Sequence, residues 1–240
     1  MAWLLHLNGR HVGLACRDGL FLGTRRVEKI SSARWDAAHR LLMNRGVDAV
    51  VIENSAAAIL RDGLAYDRCH IGVVTDMDMN GDNRAELAEF DVQGESQLYK
   101  VLRTQIDVVL SEGVAVLNAA VPKLLEMSAL SDGEVVLYAL DAAEPALAAH
   151  RAQGGRAVFL QGGAAVLAQG QSETVGANVE ALLKRFAKAG PAAASHAQAD
   201  AGTVLAAVAT AWALNISPEL ISAGMDTFVP DQPVGSAAAA

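Results

Sequence analysis

The chain is 240 residues long, 52% hydrophobic and 19% charged, a composition that supplies a substantial core and excludes disorder over most of its length. Its 27 acidic against 19 basic residues leave a formal charge of -8, which repels a phosphate backbone and argues against nucleic acid as a partner. Plentiful Ala, Val and Leu with only 5% aromatic residues point to an α/β chain, helices layered on a sheet.

The first residues, Met-Ala-Trp-Leu-Leu-His-Leu-Asn-Gly-Arg, lack the basic and apolar regions of a signal peptide. No run approaches the ~20 apolar residues that a membrane helix needs. The expectation is therefore a soluble, cytoplasmic protein with no membrane partner. Cys16 and Cys69 stand far apart without a partner motif, so both are expected as reduced thiols. Ser32 to Arg45 carries Trp35, Ala38, Leu41 and Leu42 at helical spacing before a stop at Gly46. The apolar run from Asp48 to Glu53 reads as a buried parallel strand, and so do Ile71 to Thr75, Val114 to Leu117 and Val135 to Leu140. Helices are expected between them at Ala56 to Arg61, Gln97 to Leu110 and Lys123 to Leu130, giving βαβ units.

After Asp141 the pattern predicts a helix over Ala146 to Arg151, stopped by Gly154-Gly155. A hairpin follows, pairing Ala157 to Leu160 with Ala164 to Ala168 across Gln161-Gly162-Gly163. Ala187 to Gly202 is Ala-rich with little periodicity and reads as a loop. A long helix over Thr203 to Leu214 is followed by another that Ser217 caps and Pro218 opens. The expected organisation is one domain over residues 1–230, with a hairpin extension at about 155–170, a loop at about 187–202 and a frayed tail over 231–240.

In open parallel sheets, ligands bind beyond the carboxyl ends of the strands. Three such ends are Val51-Ile52-Glu53-Asn54-Ser55-Ala56-Ala57-Ala58 running on to Ile59-Leu60-Arg61-Asp62-Gly63-Leu64, Val73-Val74-Thr75-Asp76, and Ala115-Val116-Leu117-Asn118-Ala119-Ala120-Val121-Pro122. In this order they resemble the ATP-dependent Mur-ligase-like half of the cyanophycin synthetase family, whose segments look like E-T-A-R-G-G-I-L-R-E-G-L, V-V-T-N-I and A-V-L-N-A-D-D-P. Asp67-Arg68-Cys69, Gly154-Gly155-Arg156-Ala157-Val158, and the closing stretch with Trp212-Ala213-Leu214, Ser217-Pro218-Glu219 and Thr227-Phe228 extend the likeness from about Arg10 to about Asp231. The resemblance implies a Mur-ligase-like central domain, a mostly parallel sheet flanked by helices, and Mg-ATP as the cofactor if activity or binding is retained.

Several positions depart from the family's pattern. No G-x-x-x-x-G-K-[ST] phosphate loop occurs in these residues. Met1 to Asn8 correspond to the helix that follows that loop, so the chain is expected to be truncated, beginning after the phosphate anchor and stopping before the family's C-terminal Mur domain. Glu53 stands at the family's magnesium-linked glutamate, yet T-A-R-G-G is replaced by Asn54 to Ala58. Thr75 is kept, Asp76 replaces asparagine, and no histidine follows in Met77 to Glu86. Leu102 takes the place of the helix lysine. Asn118 is kept, while Ala120 and Val121 replace the paired aspartates, and Ser195 to Asp200 offers no equivalent of the family's asparagine.

The candidate residues are thus Thr75 and Asn118 for a nucleotide and Glu53 for a metal, with no catalytic residue and no cofactor expected for the chain alone. Asp76 to Asp82 has the spaced oxygens and Gly81 of a calcium loop, but its twelfth position is Leu87, so an acidic solvated loop is expected instead. The six histidines are scattered, Ser195-His196 lacks an oriented base, and Arg25-Arg26 with Lys29 reads as a solvated hairpin tip. The expected function is that of a degenerate cyanophycin synthetase-like Mur ligase domain, inactive alone and acting as a structural or regulatory partner. The alternative is a subunit of an ATP-dependent amide ligase whose P-loop another chain supplies, with small-ligand binding without turnover as a third. Expected partners are the chain itself or another protein, such as a full-length ligase, because Trp3, Leu4, Leu7 and the Thr203 to Leu214 helix would be uncovered apolar surface.

Overall fold

Buried parallel strands read as continuous apolar runs because both of their faces are covered, and that pattern organises the molecule. The structure is a computed structural model and describes residues 1–189 and 200–229. A short helix α1 (Ala2–Leu7) leads into β1 (Val12–Cys16), β2 (Gly19–Leu22) and β3 (Arg25–Glu28), then α2 (Trp35–Leu42), β4 (Ala49–Ile52) and α3 (Ala56–Asp62). β5 (Cys69–Val74), α4 (Gly81–Ala88), α5 (Glu95–Leu102), α6 (Thr104–Asp107) and β6 (Val109–Asn118) follow. Next come α7 (Pro122–Leu125), a 3₁₀ turn (Glu126–Leu130), β7 (Glu134–Ala139), α8 (Pro145–Ala152), β8 (Arg156–Gln161), β9 (Ala164–Gln169) and β10 (Ser172–Asn178). The described chain closes with α9 (Val179–Ala189), α10 (Ala201–Ala213) and α11 (Pro218–Thr227).

Among the described residues ten strands form two sheets, ordered β3-β2-β1-β4 and β10-β9-β8-β7-β6-β5. β1 runs parallel to β4, and β5 to β8 form a parallel block, while β2, β3, β9 and β10 are antiparallel additions. Period-two alternation divides the larger sheet into two cores. Val116, Val136, Tyr138 and Val158 face α10, whereas Ala115, Leu117, Leu137 and Phe159 face the side of α5, α7 and α8. A third, smaller core lies where Ala15 and Leu20 meet Ala37 and Leu41 of α2.

The expected α/β class and four parallel strands are present, with corrections. The Gln97 to Leu110 helix is two helices, and Val109 and Leu110 already belong to β6, because Gln105 and Ile106 are buried against β5 and the chain turns there. Lys123 to Leu130 is one α-turn continuing as 3₁₀. The expected hairpin at residues 155–170 is present as β8 and β9, and it is continuous with the main sheet: β8 pairs with β7 in parallel, and β10 adds to its outer edge. Arg25 and Arg26 lie within β3 rather than at a hairpin tip. On α2 the buried face is Ala37, Ala38 and Leu41, while Trp35 and Leu42 are exposed, Trp35 stacking on His39 at 4.6 Å.

The loop expected over Ala187 to Gly202 begins inside α9 and ends inside α10; its residues 190–199, with Ser195 and His196, lie outside the described residues, as does the tail over 231–240. Leu4 and the Thr203 to Leu214 helix are not uncovered surface. Leu4 is 1% exposed and α10 buries eight side chains, since α1, α10 and α11 pack on one another and on the sheet. Cys16 and Cys69 are free thiols.

Candidate functional site: an acidic cleft at the strand ends

Where β4 and β5 end, their carboxyl termini open into one cleft of about 630 Å³. Glu53 stands at its rim immediately after β4, anchored by its own amide to the Ala15 carbonyl at 2.9 Å. Its carboxylate accepts the Arg17 backbone N–H at 2.8 Å and lies 3.4 Å from the Arg17 guanidinium. The metal candidate is therefore engaged by a cation from the β1–β2 turn, and among the described residues no group of three or more His, Cys, Asp or Glu side chains is gathered to hold a metal.

Thr75 also lines the cleft, and its hydroxyl donates to Asp76 Oδ2 at 2.7 Å. Asn118 is not part of the cleft lining. Its amide donates to the Thr75 carbonyl at 3.0 Å and its Oδ1 accepts the Ala120 N–H at 3.1 Å, so it braces the ends of β5 and β6. The Tyr138 hydroxyl lies 3.5 Å from the same carbonyl, long for a hydrogen bond, and burial holds this phenol firmly protonated. Of the three sequence candidates, Glu53 and Thr75 share the cleft, while Asn118 supports it from behind.

The loop after β5 folds on itself. Asp76 Oδ1 accepts the Asp78 N–H at 3.0 Å, and Asp78 accepts the Asn80 N–H at 2.9 Å and, from within α4, the side-chain amide of Asn83 at 3.0 Å. These Asx contacts complete the acidic, exposed loop expected from sequence.

Several cleft residues stand outside the three sequence candidates. Asn54 donates to the Tyr66 hydroxyl at 3.0 Å and to Gln105 Oε1 at 3.2 Å, joining the end of β4 to α6 beneath β5. Burial pushes the Tyr66 phenol up to about 12. Asp200 reaches the cleft as the N-cap of α10, accepting the Thr203 N–H at 2.7 Å, and an Asp just before a helical run was the signal for it. Leu102 enters the lining as an apolar wall. Arg17 had no linear signature, since 36 residues separate it from Glu53.

The charge balance follows. Glu53, Asp76, Asp78, Glu86 and Asp200 line the cleft against one cation among the described residues, Arg17, which is already paired. Such a lining opposes a polyphosphate rather than neutralising it.

No protein-family profile matches the chain. Among curated proteins it is 27% identical over 233 residues to the cyanophycin synthetase of Geminocystis herdmanii, covering 96% of this chain and 25% of that protein. It is 28% identical over 228 residues to the Synechocystis enzyme of the same name, covering 95% and 25%. Among solved structures, MurF from Acinetobacter baumannii superposes with a TM-score of 0.55 at 13% identity, over 94% of this chain and 42% of that one. A murein peptide ligase from Psychrobacter arcticus gives 0.51 at 12% identity, over 95% and 43%. The chain spans about a quarter of the length of these curated relatives. It therefore has a Mur-ligase-like α/β fold and is similar, over nearly its whole described length, to one part of cyanophycin synthetase.

Proposed function

We propose that these residues form a ligase-like domain that does not bind Mg-ATP by itself and acts as a structural or regulatory partner. The observation that carries this is the charge of the cleft, where carboxylates gather around a single arginine already paired with Glu53. Phosphoryl transfer depends on positioned cations and phosphate-directed amides, and neither the replaced Asn54 to Ala58 segment nor Leu102 offers a cation. Calorimetric titration with magnesium and ATP, alongside ADP and a metal-free control, tests it. The expected result is no saturable binding at micromolar strength, and saturable binding overturns the proposal.

The second reading, a ligase subunit completed by a phosphate loop from another chain, is favoured by one fact. Glu53 and Thr75 still meet in a cleft of about 630 Å³. Its test is Glu53→Ala in an assay reconstituted with a full-length cyanophycin synthetase-type ligase, where unchanged turnover removes its support. Self-association is the partner reading supported by exposed Ile30, Trp35, Leu42 and Met43 on and on either side of α2. A monomer by light scattering across micromolar concentrations overturns it.

A further inference from the structure

Helices on the surface of a fold are normally apolar on one side and polar on the other. α2 departs from that rule. Ala37, Ala38 and Leu41 form its inner face, with Ala37 and Leu41 in the small core around Ala15 and Leu20. Trp35, Leu42 and Met43 recur at helical spacing on a second face with His39 between them, and all four are exposed. Trp35 is held there by its stack on His39 at 4.6 Å. Of the eight large apolar side chains exposed among the described residues, five fall within residues 27–43, while Leu140, Val175 and Val229 stand apart along the chain. Apolar side chains gathered in this way mark a contact surface, whereas single ones need no explanation.

Charge decides how that surface can be covered. Asp36 and Arg40 stand one turn apart on one flank of the apolar stripe. Arg40 reaches Glu28 at 2.5 Å, and Arg34 reaches Glu28 at 3.4 Å and Asp36 at 3.2 Å, so this flank is tied to the end of β3. Asp36 and Arg40 still keep about half of their side-chain surface exposed. A second copy laid antiparallel on the stripe brings its own Arg40 to Asp36 and its own Asp36 to Arg40. It also sets its Leu42 and Met43 against Trp35. The parallel arrangement would instead place like charges together and align two helix dipoles side by side.

We propose that α2 is the contact helix of a two-fold dimer of this chain, packed antiparallel on the partner's α2 with His39 at the axis. A two-fold contact needs a self-complementary patch, in which residue i meets j and j meets i. The stripe meets that requirement in its apolar pairing and in its charges. With Ile30, from the segment that leads into α2, its apolar side chains expose roughly 400 Å² per copy, close to the apolar half of the ~800 Å² that a standard interface buries on each side. Trp35 supplies the large aromatic anchor that such interfaces favour. No residue of α2 lines the acidic cleft, so this surface is separate from it. The proposal rests on the self-association reading above and names the surface and symmetry through which it occurs.

The full chain is tested by sedimentation equilibrium across micromolar concentrations, where a dimer is expected. Trp35→Glu and Met43→Glu place a carboxylate at exposed positions. Each is expected to keep the native circular dichroism and melting temperature while weakening the dimer at least about tenfold. His39→Cys is expected to crosslink to its own copy on oxidation with diamide, because residues facing each other at the axis come within disulfide reach. Asp132→Cys, exposed on the turn before β7, is expected not to, and the unsubstituted chain with its half-buried Cys16 and Cys69 is the blank. A dimer that survives both glutamate substitutions, with no His39→Cys crosslink above the controls, overturns the α2 interface and leaves self-association through another surface. Weakened association without the crosslink overturns the two-fold antiparallel arrangement. A chain that is monomeric throughout overturns this proposal and the self-association reading together.

Discussion

The Arg17 amide and guanidinium both converge on the Glu53 carboxylate, the first at 2.8 Å and the second at 3.4 Å. The two contacts are unequal. The charged side chains are about half exposed, and exposed ion pairs contribute at most about 1 kcal/mol. The amide bond is lost only when Glu53 is changed. Arg17→Ala is therefore expected to lower stability by less than about 0.5 kcal/mol and Glu53→Ala by about 1 kcal/mol, measured by urea unfolding. Equal effects would show that the guanidinium, not the amide, holds the β1–β2 turn to the end of β4.

Asn118 makes its two bonds with opposite ends of its side-chain amide, donating to Thr75 and accepting from Ala120. Asn118→Asp keeps the acceptor and turns the donor into a carboxylate aimed at a carbonyl. It is expected to destabilise by about 1–3 kcal/mol, no less than Asn118→Ala, and the order is read from paired denaturation curves. A neutral Asn118→Asp would contradict the bracing role assigned to this residue.

Gly72 sits in β5 where α6 crosses it, and a Cβ there would lie 2.5 Å from the Gln105 carbonyl oxygen. That neighbour is backbone and cannot swing aside. Gly72→Ala is expected to destabilise by about 1–3 kcal/mol through overpacking and to disturb the Asn54–Gln105 bond. Calorimetric melting and the exchange of the Gln105 amide check the two parts.

Burial pushes the Cys69 thiol up to about 11. The thiolate is the reactive species, so alkylation by iodoacetamide at pH 8 is expected to run about a hundredfold slower than that of a free thiol peptide. The rate should climb tenfold per pH unit up to pH 10. A rate that levels off near pH 9 would mean that the thiol is not held up by its surroundings.

Parallel strands were legible because burial on both faces leaves unbroken apolar runs, as at Val114 to Leu117 and in the strand that holds Val135 to Ala139. β1 to β3 were not, because Gly13, Gly19 and the Arg25-Arg26 pair interrupt any alternation there. β10 was missed for a related reason: Ser172 to Val175 face solvent, so that strand has little hydrophobic pattern to read. α9 could have been found, since Leu182, Leu183 and Phe186 recur at helical spacing, but the neighbouring alanine-rich stretch obscured it.

Local sequence by itself determined the βαβ order, the cap at Ser217 and the residues standing at the strand ends. These properties arise from nearest neighbours along the chain, through periodicity and single side-chain caps. Tertiary structure alone decided that Glu53 is held by Arg17, that Asn118 braces rather than lines the cleft, and that β4 and β5, from two different sheets of the described residues, open into one cleft. Each of those depends on groups tens of residues apart meeting in space, and hydrophobic patterning carries no record of which edge meets which.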